Sequence, residues 1–363
     1  MGKRMKTRQN KKKVLFFLPP TVGGAERMTV TIAKMLPQDE FEVKFVVVGR
    51  SLGDIVKFIP KNYPIRLLHI KRIRYGGTIR ILNAVRKEKP DIVFSSLLYL
   101  NVRLIIASRF CKVKVIVRNN IDLSRTPRKI NILLVRLTYK WADKVIAQQE
   151  EMHDEVISFT NLPNEKVVTL HNPIDTTYIE DCLRTTNPFP QEAKDQYKYI
   201  WAARFSSQKG QDLIVRAFEK VHQERPDAHL YLLGKYDNDS TYFQSVKDFV
   251  ESNQVQDYVH FVGFDCNPYR WIKHADCYVM PSRFEGLPNS LIDAMYLGKP
   301  VVATRCIPVI DRIVKNGYNG IVVESENIEA LAEGMKKAPL LKDFEMTYHP
   351  ATKEDFISLF RIV

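Results

Sequence analysis

Short runs of Val, Ile and Phe alternate along the chain with longer stretches in which apolar residues recur at helical spacing. Such alternation is typical of parallel strands joined by crossover helices and predicts an α/β fold. The predicted strands of the first half are Val14–Leu18, Val43–Val48, Ile92–Ser95, Val113–Val117, Lys144–Ala147 and Val167–Leu170. Those of the second half are Tyr199–Ala203, His229–Leu233, Val259–Phe261, Cys277–Met280, Pro300–Ala303 and Gly320–Val323. With 363 residues, the chain is long enough for two doubly wound domains.

Loops that follow strands lead into amphipathic helices in both halves. We predict one helix at Arg27–Leu36, after the loop Pro19–Glu26, and another at Gln211–Glu224, after the loop Ser206–Gly210. Two such domains in tandem are expected to place the carboxyl ends of their strands across a cleft from each other. Ligands of open parallel sheets bind at those carboxyl ends.

A turn-rich stretch, His-Asn-Pro-Ile-Asp at 171–175, marks the boundary between the halves. We therefore expect a basic tail at residues 1–13, an N-terminal domain at 14–175, a C-terminal domain at 176–345 and a last segment at 346–363. The short amphipathic pattern of Lys353–Ile362 suggests that this last segment crosses back to the N-terminal domain.

The cysteines and the apolar runs indicate where the protein works. Five cysteines are scattered along the chain without a C-x-x-C pair, which favours reduced thiols over a disulfide framework or a zinc site. No stretch resembles a signal peptide or a spanning helix, because the early apolar run Val14–Leu18 ends at Pro19-Pro20 and a span needs about 18 apolar residues. These features predict a cytoplasmic location.

Positive charge is concentrated in the first half. The net charge is +14, and residues 1–175 hold 33 Lys and Arg against 15 Asp and Glu. Nucleic-acid binding, attraction to an anionic membrane surface and a solvated disordered tail are three possible explanations for such charge. Because the whole half is basic and not only the tail, a surface-binding role is favoured.

The segment PSRFEGLPNSLIDAMYLGKPVVAT, which follows a predicted strand, is the strongest chemical signal. Asn289 is expected to be the N-cap of a helix at Ser290–Leu297, and Gly286 removes a side chain where backbone must approach a ligand. A helix start offers unpaired N–H groups and positive dipole to a diphosphate. Glu285 before the helix and Asp293 inside it can then face one bound molecule. A plain strand–loop–helix unit is the alternative.

A second signal is the pair Arg204 and Lys209, which lie on one loop after a predicted strand. A guanidinium and an ammonium five residues apart can close on two phosphate groups, although exposed surface cations would give the same pattern. Gly23-Gly24, after the first strand, permits close backbone approach but matches neither a dinucleotide site nor a P-loop.

Taken together, these segments resemble the family 4 retaining glycosyltransferases with the GT-B fold, in which two Rossmann-like domains face each other. The resemblance covers nearly the whole chain and is similar in character to bacterial enzymes that assemble capsule, O-antigen and lipid-linked glycans. It rests on the turn Gly23–Glu26, the hinge Asn172–Asp175, the loop Ala203–Gly210, Ala275-Asp276 and the loop Pro281–Gly286.

The resemblance implies a role for each matching residue. Arg204 and Lys209 would bind the donor diphosphate and stabilise the leaving group, with the backbone of Gly23 and Gly24 near the same phosphates. Glu285 would contact the donor sugar. The remaining donor-binding positions would be Gly286, the N–H groups of Asn289, Ser290 and Leu291, Asp293 at the ribose, and Phe264 at the base.

Two positions depart from the family pattern. Asp293 stands where the family has Glu, one methylene longer, so its reach to the ribose is altered. Arg118-Asn119 stands where many members have a His beside the reacting sugar. Either residue could steady the leaving group or orient the donor, and the alternative is that both only tie down the following loop.

We therefore predict a retaining hexosyltransferase that needs neither metal nor cofactor, because the basic clamp takes the place of a metal. Its donor would be a nucleotide sugar carrying UDP, and its acceptor a polyprenyl-diphosphate-linked saccharide. The segment Arg125–Lys140 carries cations beside an apolar run, which suits a membrane interface, although a buried helix with solvated charges would also fit. The predicted place of work is the inner face of the cytoplasmic membrane, as a peripheral protein.

Three other functions remain as alternatives. A sugar-nucleotide epimerase would need acid–base carboxylates and a histidine set that have no clear place in this sequence. An inactive nucleotide-sugar-binding scaffold would be consistent with Asp293 and the missing His. Nucleic-acid binding is motivated by charge alone and lacks a recognition motif, so no nucleic-acid partner is expected.

Overall fold

The computed structural model describes residues 11–70, 77–121, 123–124 and 129–363. These residues form two compact units, one made of the chain up to Ile174 together with Pro350–Val363, and the other of Asp175–His349. Residues 1–10 of the predicted tail, and Arg125 and Arg128 of the basic segment, lie outside the described residues, as does the side chain of Lys129.

The first unit is built on a parallel sheet with helices on both faces. Within its described residues, seven strands follow the order β3-β2-β1-β4-β5-β6-β7. The strands are β1 (Lys12–Leu18), β2 (Phe41–Gly49), β3 (Ile65–His69), β4 (Ile92–Ser95), β5 (Lys114–Arg118), β6 (Lys144–Ala147) and β7 (Val167–Thr169). The helices between them are α1 (Gly24–Met35), α2 (Gly77–Glu88), α3 (Leu98–Cys111), α4 (Lys129–Thr138) and α5 (Glu150–Thr160).

Both faces of this sheet are buried, which explains why its central strands are continuous apolar runs. In β1, Leu15 and Phe17 point into the core beneath α2, α3 and α5, whereas Phe16 and Leu18 point into the core beneath α1. The four side chains are fully buried.

The C-terminal helix, Lys353–Ile362, also packs in the first unit. Phe360 is buried, and its ring centroid lies 5.8 Å from that of Phe16. At the surface, Arg361 donates to both carboxylate oxygens of Glu40, at 2.6 and 2.8 Å. This helix therefore completes one face of a sheet whose strands come from the other end of the chain.

The second unit has the same layered plan. Its described residues form a six-stranded parallel sheet in the order β10-β9-β8-β11-β12-β13. The strands are β8 (Tyr197–Ala202), β9 (Ala228–Leu233), β10 (Val259–Gly263), β11 (Cys277–Met280), β12 (Val301–Thr304) and β13 (Gly320–Val323). The helices are α6 (Thr176–Leu183), α7 (Gln211–Glu224), α8 (Thr241–Ser252), α9 (Pro268–His274), α10 (Asn289–Tyr296), α11 (Ile310–Ile313) and α12 (Ile328–Lys337).

The predicted α/β fold with two doubly wound sheets is confirmed, and every predicted strand forms within two residues at either end. The hydrophobic pattern does not reveal β3. Among the described residues this strand pairs with β2 alone, at the edge of the sheet, and none of its residues is fully buried. Among the helices of the described residues, none is long and apolar enough to cross a bilayer.

Two helix starts differ from the prediction. The first helix begins at Gly24 and not at Arg27, because Gly23 has extended backbone and serves as the N-cap. Asn289 is the first residue of α10 and not its N-cap, since Pro288 precedes the helix and no side chain caps it. Gly24 and Asn289, both expected near the donor phosphates, therefore lie in the first turn of their helices.

Candidate functional site

Two loops meet at the carboxyl edge of the second sheet, where the neighbouring strands β8 and β11 end. The backbone N–H of Arg283 donates to the carbonyl oxygen of Gln208 at 2.9 Å. Gly210 has φ +69°, and a Cβ there would lie 2.1 Å from the carbonyl oxygen of Pro281. Gly210 therefore allows the loop of Arg204 and Lys209 to pack directly against the loop of Glu285.

Lys209 and Glu285 join these loops through their side chains. The Nζ atom of Lys209 lies 2.7 Å from each carboxylate oxygen of Glu285, whose side chain is only 8% exposed. The hydroxyl of Ser282 also donates to Oε1 of Glu285 at 2.7 Å. Three hydrogen bonds thus fix the orientation of the carboxylate, and the pair has no net charge.

Arg204 lies on the same loop as Lys209 but is exposed. In the part of the chain that the structure describes, its guanidinium has no ion pair or hydrogen bond, while its carbonyl oxygen accepts from the buried Gln211 at 3.1 Å. The backbone is therefore fixed and the cation is uncompensated. Arg204 supplies the positive charge that the Lys209–Glu285 pair lacks.

An ion pair between Arg283 and Asp212, which sequence analysis did not identify, also holds the two loops together. Arg283 donates to both carboxylate oxygens of Asp212, at 2.8 and 2.7 Å. Burial alone would raise the pKa of Asp212, but the hydrogen bonds from Arg283 and Tyr242 outweigh it and hold that pKa below its usual value. Arg283 is a structural cation, because its donors are engaged within the protein.

Backbone donors lie next to these side chains, at the start of α10. Among the described residues, the N–H groups of Gly286, Leu287 and Ser290 find no acceptor, as expected for the approach to a helix N-terminus. The N–H of Asn289 donates to Leu287 and that of Leu291 to Pro288. Sequence analysis named the N–H groups of Asn289, Ser290 and Leu291. Of these three, the N–H of Ser290 is the one still available to a ligand in the described structure.

Asp293 lies one turn inside α10, on the same edge of the sheet. Its Oδ2 accepts a hydrogen bond from the hydroxyl of the buried Tyr269 at 3.3 Å. Beneath it, Tyr278 is fully buried, which raises its pKa, and the charges of Glu285 and Asp293 add to that effect. Tyr278 thus lies close to both carboxylates, which the sequence places eight positions apart.

Phe264 follows β10 at this edge and is 58% exposed. The loop that carries it is fixed by Asp265, whose Oδ2 accepts from Arg270 at 2.7 Å and from Trp271 at 2.8 Å. The structure therefore brings together, on one edge of the second unit, the donor-site residues predicted for that half. These are Arg204, Lys209, Phe264, Glu285, Gly286, Asn289, Ser290, Leu291 and Asp293.

Gly23, Gly24, Arg118 and Asn119 belong to the first unit. Gly23 is the N-cap of α1 and Gly24 is its first residue, in the connection that follows β1. Glu26, in the first turn of this helix, is buried and accepts from the Thr21 hydroxyl at 2.8 Å. A Cβ on Gly23 would lie 2.7 Å from Oε2 of Glu26. A side chain at position 23 would therefore displace the Glu26 carboxylate from its observed position.

Arg118 and Asn119 are buried at the end of β5. Arg118 donates to the side chain of Asn172, and Asn119 accepts from the hydroxyl of Tyr139 at 2.8 Å. The side-chain amide of Gln148 also donates to the carbonyl oxygen of Asn119 at 2.7 Å. This network favours the interpretation in which the pair holds the surrounding loops in place.

The described residues contain no group of three or more His, Cys, Asp or Glu side chains arranged to hold a metal ion. None of the five cysteines forms a disulfide in the described structure. The chemistry available at the second-unit edge is thus one exposed guanidinium, an ammonium–carboxylate pair, a helix start and a second carboxylate.

Comparison with known proteins places this arrangement in a family. The model for Glycosyltransferase Family 4 matches residues 22–178, and the model for Glycosyl transferases group 1 matches residues 184–354. An uncharacterized glycosyltransferase of Methanocaldococcus jannaschii is 29% identical over 301 residues, which are 74% of this chain and 72% of that protein.

One further relative and one solved structure are similar to most of this chain. The N-acetylgalactosamine-N,N'-diacetylbacillosaminyl-diphospho-undecaprenol 4-alpha-N-acetylgalactosaminyltransferase of Campylobacter jejuni is 21% identical over 334 residues, covering 86% of each chain. The crystal structure of HepE from Anabaena in complex with UDP and glucose has a TM-score of 0.79 at 16% identity, and covers 97% of this chain and 98% of that one. At that identity the likeness concerns the fold. With both halves matched by family models, the chain belongs to the family 4 glycosyltransferases and has their GT-B fold.

Proposed function

We propose that this glycosyltransferase transfers a hexose or N-acetylhexosamine from a UDP-linked donor to a hydroxyl of a polyprenyl-diphosphate-linked saccharide, with retention at the anomeric carbon and without a metal. The observation that carries the donor half is the uncompensated Arg204 beside the Lys209–Glu285 pair and the open N–H groups at the start of α10. The structure of HepE with UDP and glucose, and the undecaprenol-linked acceptor in the name of the Campylobacter relative, support the two substrate classes.

In this proposal the donor diphosphate lies between Arg204 and Lys209 and accepts hydrogen bonds from Gly286, Leu287 and Ser290. Glu285 contacts hydroxyls of the donor sugar, Asp293 binds the ribose and Phe264 lies against the base. Charge-assisted donors arranged in advance of the reaction stabilise a leaving diphosphate without reorganisation, and this effect is usually the largest contribution to catalysis.

The proposed chemistry breaks the bond between the anomeric carbon and the diphosphate oxygen, and UDP leaves with the electron pair. An acceptor hydroxyl attacks from the face that UDP leaves, so the configuration is retained, and its proton passes to the departing diphosphate. The transition state has oxocarbenium character, and the cations at Arg204 and Lys209 stabilise the charge that develops on the leaving group.

The first unit is proposed to bind the acceptor at a membrane surface. Leu133 and Leu137 of α4 are each 51% exposed and Trp141, just beyond the helix, is 42% exposed. Their spacing of four residues puts them on one side, next to the exposed cations Arg136 and Lys140. Apolar side chains beside cations are the pattern of an interfacial helix on anionic lipid. This supports peripheral binding at the inner face of the cytoplasmic membrane.

The test is the release of UDP from a panel of UDP-hexoses and UDP-N-acetylhexosamines, with and without undecaprenyl-diphosphate-linked saccharides. We expect one donor to release UDP faster when a lipid-linked saccharide is present, with a glycosylated product that has the donor's anomeric configuration. A protein that binds no UDP and releases none with any pair would contradict the donor assignment. Product formation with inverted configuration would contradict the retaining mechanism alone.

A further inference from the structure

A buried carboxylate at the start of α1 has no part in the donor site proposed above. Glu26 is 9% exposed, and its Oε1 accepts from the Thr21 hydroxyl at 2.8 Å. Among the described residues, nothing donates to its Oε2, which retains access to solvent. A buried carboxylate with one unused oxygen is held in position and still able to accept a hydrogen bond.

The direction in which Glu26 faces is fixed by the rest of α1. Thr29 lies three residues later, on the same side of the helix, and its hydroxyl lies 2.9 Å from that of the buried Ser96. Ser96 directly follows β4, at the carboxyl edge of the first sheet. Glu26 therefore faces the connection between β4 and α3, one turn of helix nearer to the edge than Thr29.

Tyr99 and Arg103 of α3 lie on the other side of this space. Burial and the nearby charge of Glu26 together raise the pKa of Tyr99 to about 12, although the charge of Arg103 opposes them. Arg103 donates to the carbonyl oxygen of Tyr99 at 2.5 Å, and its Nε is buried without a hydrogen-bond partner in the described structure. The carboxylate of Glu26 and the phenol of Tyr99 thus lie near each other, and the guanidinium of Arg103 lies beside Tyr99.

These groups suit neutral hydroxyls better than a phosphate. A carboxylate repels an anion at short range, but it accepts strong hydrogen bonds from alcohol O–H groups. A phenol and a guanidinium can donate to the oxygens of the same sugar. We propose that Glu26, with Tyr99 and Arg103, binds hydroxyls of the acceptor saccharide and sets its orientation. This inference rests on the proposed function, since it assigns the acceptor side of the same reaction.

The proposal also explains Gly23. A side chain there would collide with Oε2 of Glu26, at 2.7 Å from a Cβ, so glycine at this position keeps the free carboxylate oxygen in place. The Gly23-Gly24 turn then has a part in acceptor binding as well as the backbone approach to donor phosphates proposed for it.

The experiment measures transfer from the active UDP-sugar to undecaprenyl-diphosphate N-acetylglucosamine or N-acetylgalactosamine, whichever accepts, together with UDP release without acceptor. For Glu26→Gln and Glu26→Ala we expect the acceptor KM to rise about tenfold or more, as for loss of a charged hydrogen bond. The donor KM and acceptor-independent UDP release should stay within about twofold, because donor contacts are unchanged.

Thr21→Val is the matched control, because it removes the hydrogen bond that holds the loop and leaves the carboxylate. It should change the acceptor KM much less than Glu26→Ala, whereas equal effects would show that Glu26 is only structural and would overturn the inference. An unchanged acceptor KM in folded Glu26→Ala would overturn it too. A wild-type protein that transfers to no lipid-linked saccharide would contradict the proposed function itself, which is a separate outcome.

Discussion

Lys209 and Glu285, 76 residues apart in the chain, form an ion pair in which Nζ lies 2.7 Å from both carboxylate oxygens. The pair ties the loop after β8 to the loop after β11. It also means that the ammonium proposed to bind the donor diphosphate is already neutralised by the carboxylate proposed to contact the donor sugar. A bound diphosphate must share Lys209 with Glu285.

Replacing Glu285 should therefore separate binding from turnover. In Glu285→Gln the charge of Lys209 is released, so we expect UDP to bind as tightly as in the wild type or more tightly, measured by calorimetry. Turnover should fall about a hundredfold, because the contact to the sugar is changed while the reaction proceeds. Ser282→Ala, which removes only one hydrogen bond to Glu285, is the control. Weaker UDP binding in Glu285→Gln would contradict this account of the pair.

Arg204 should matter for activity and not for stability. Its side chain is exposed and has no partner among the described residues, so Arg204→Ala should leave the thermal midpoint unchanged. We expect kcat/KM to fall about 30-fold or more, which corresponds to roughly 2 kcal/mol of transition-state stabilisation. Arg184→Ala removes an exposed cation elsewhere in the second unit and should have no effect. Near-native turnover in Arg204→Ala would remove Arg204 from the donor site.

Asp293 and Tyr269 should determine recognition of the ribose. We expect the wild type to bind UDP about tenfold more tightly than 2′-deoxy-UDP, since a partly buried acceptor left without its hydroxyl partner weakens binding. That ratio should approach one in Asp293→Ala. In Tyr269→Phe it should be intermediate, because the carboxylate remains and only the hydrogen bond at 3.3 Å is lost. A full ratio in Asp293→Ala would assign the ribose to other residues.

Two histidines far from the proposed chemistry predict how stability depends on pH. Nδ1 of His229 lies 2.9 Å from Nε2 of His260, and burial, with the charge of His260, lowers the pKa of His229 from 6.5 to about 4. Burial also lowers the pKa of His260. The unfolded chain therefore takes up protons here before the folded protein does. The contribution of these two histidines to the free energy of unfolding is complete above pH 6.5, and it is lost as the pH falls toward 4.

Urea denaturation at pH 7, 6, 5 and 4.5 measures this decline. His229→Asn should make the decrease in the free energy of unfolding smaller, because one of the two suppressed protonation sites is gone. His69→Asn, at an exposed position in the first unit, is the control. Equal pH dependence in wild type and His229→Asn would show that other groups are responsible.

The proposed membrane surface makes a prediction of its own. Leu133→Asp combined with Leu137→Asp should greatly reduce co-sedimentation with vesicles that contain anionic lipid, because it replaces apolar contacts with charges of the same sign as the lipid. The matched control is Ile362→Asp, which changes another exposed apolar side chain of the first unit. Binding of the wild type should weaken as salt increases. Absence of wild-type binding at low salt would contradict the membrane proposal.

Most of the fold follows from the sequence because parallel strands buried on both faces are continuous apolar runs. β1 is the clearest case, whereas β3 is half-exposed and gives no such run. The donor-site residues could be named because they follow strands directly, so that chain position and spatial position coincide.

The contacts that orient those residues could not be predicted. Asp212 and Arg283 are separated by 71 residues, and Tyr269 and Asp293 by 24, so each pair exists only once the sheet has formed. Arg118 shows the opposite difficulty: a charged residue at the end of a strand suggests a ligand contact, yet Asn172 and the surrounding network bury it. Local sequence contains no information about such a distant partner.

The packing of the C-terminal helix against Phe16 and Phe94 has a consequence for synthesis on the ribosome. The second unit is one continuous segment, Asp175–His349, and it can assemble as soon as that segment has emerged. The first unit starts earlier but needs Phe360, so part of one side of its sheet stays uncovered until the helix Lys353–Ile362 has emerged. The second unit can therefore complete its fold before the first unit does, although synthesis of the first unit begins earlier. A truncation before residue 350 would leave the first unit without its last helix.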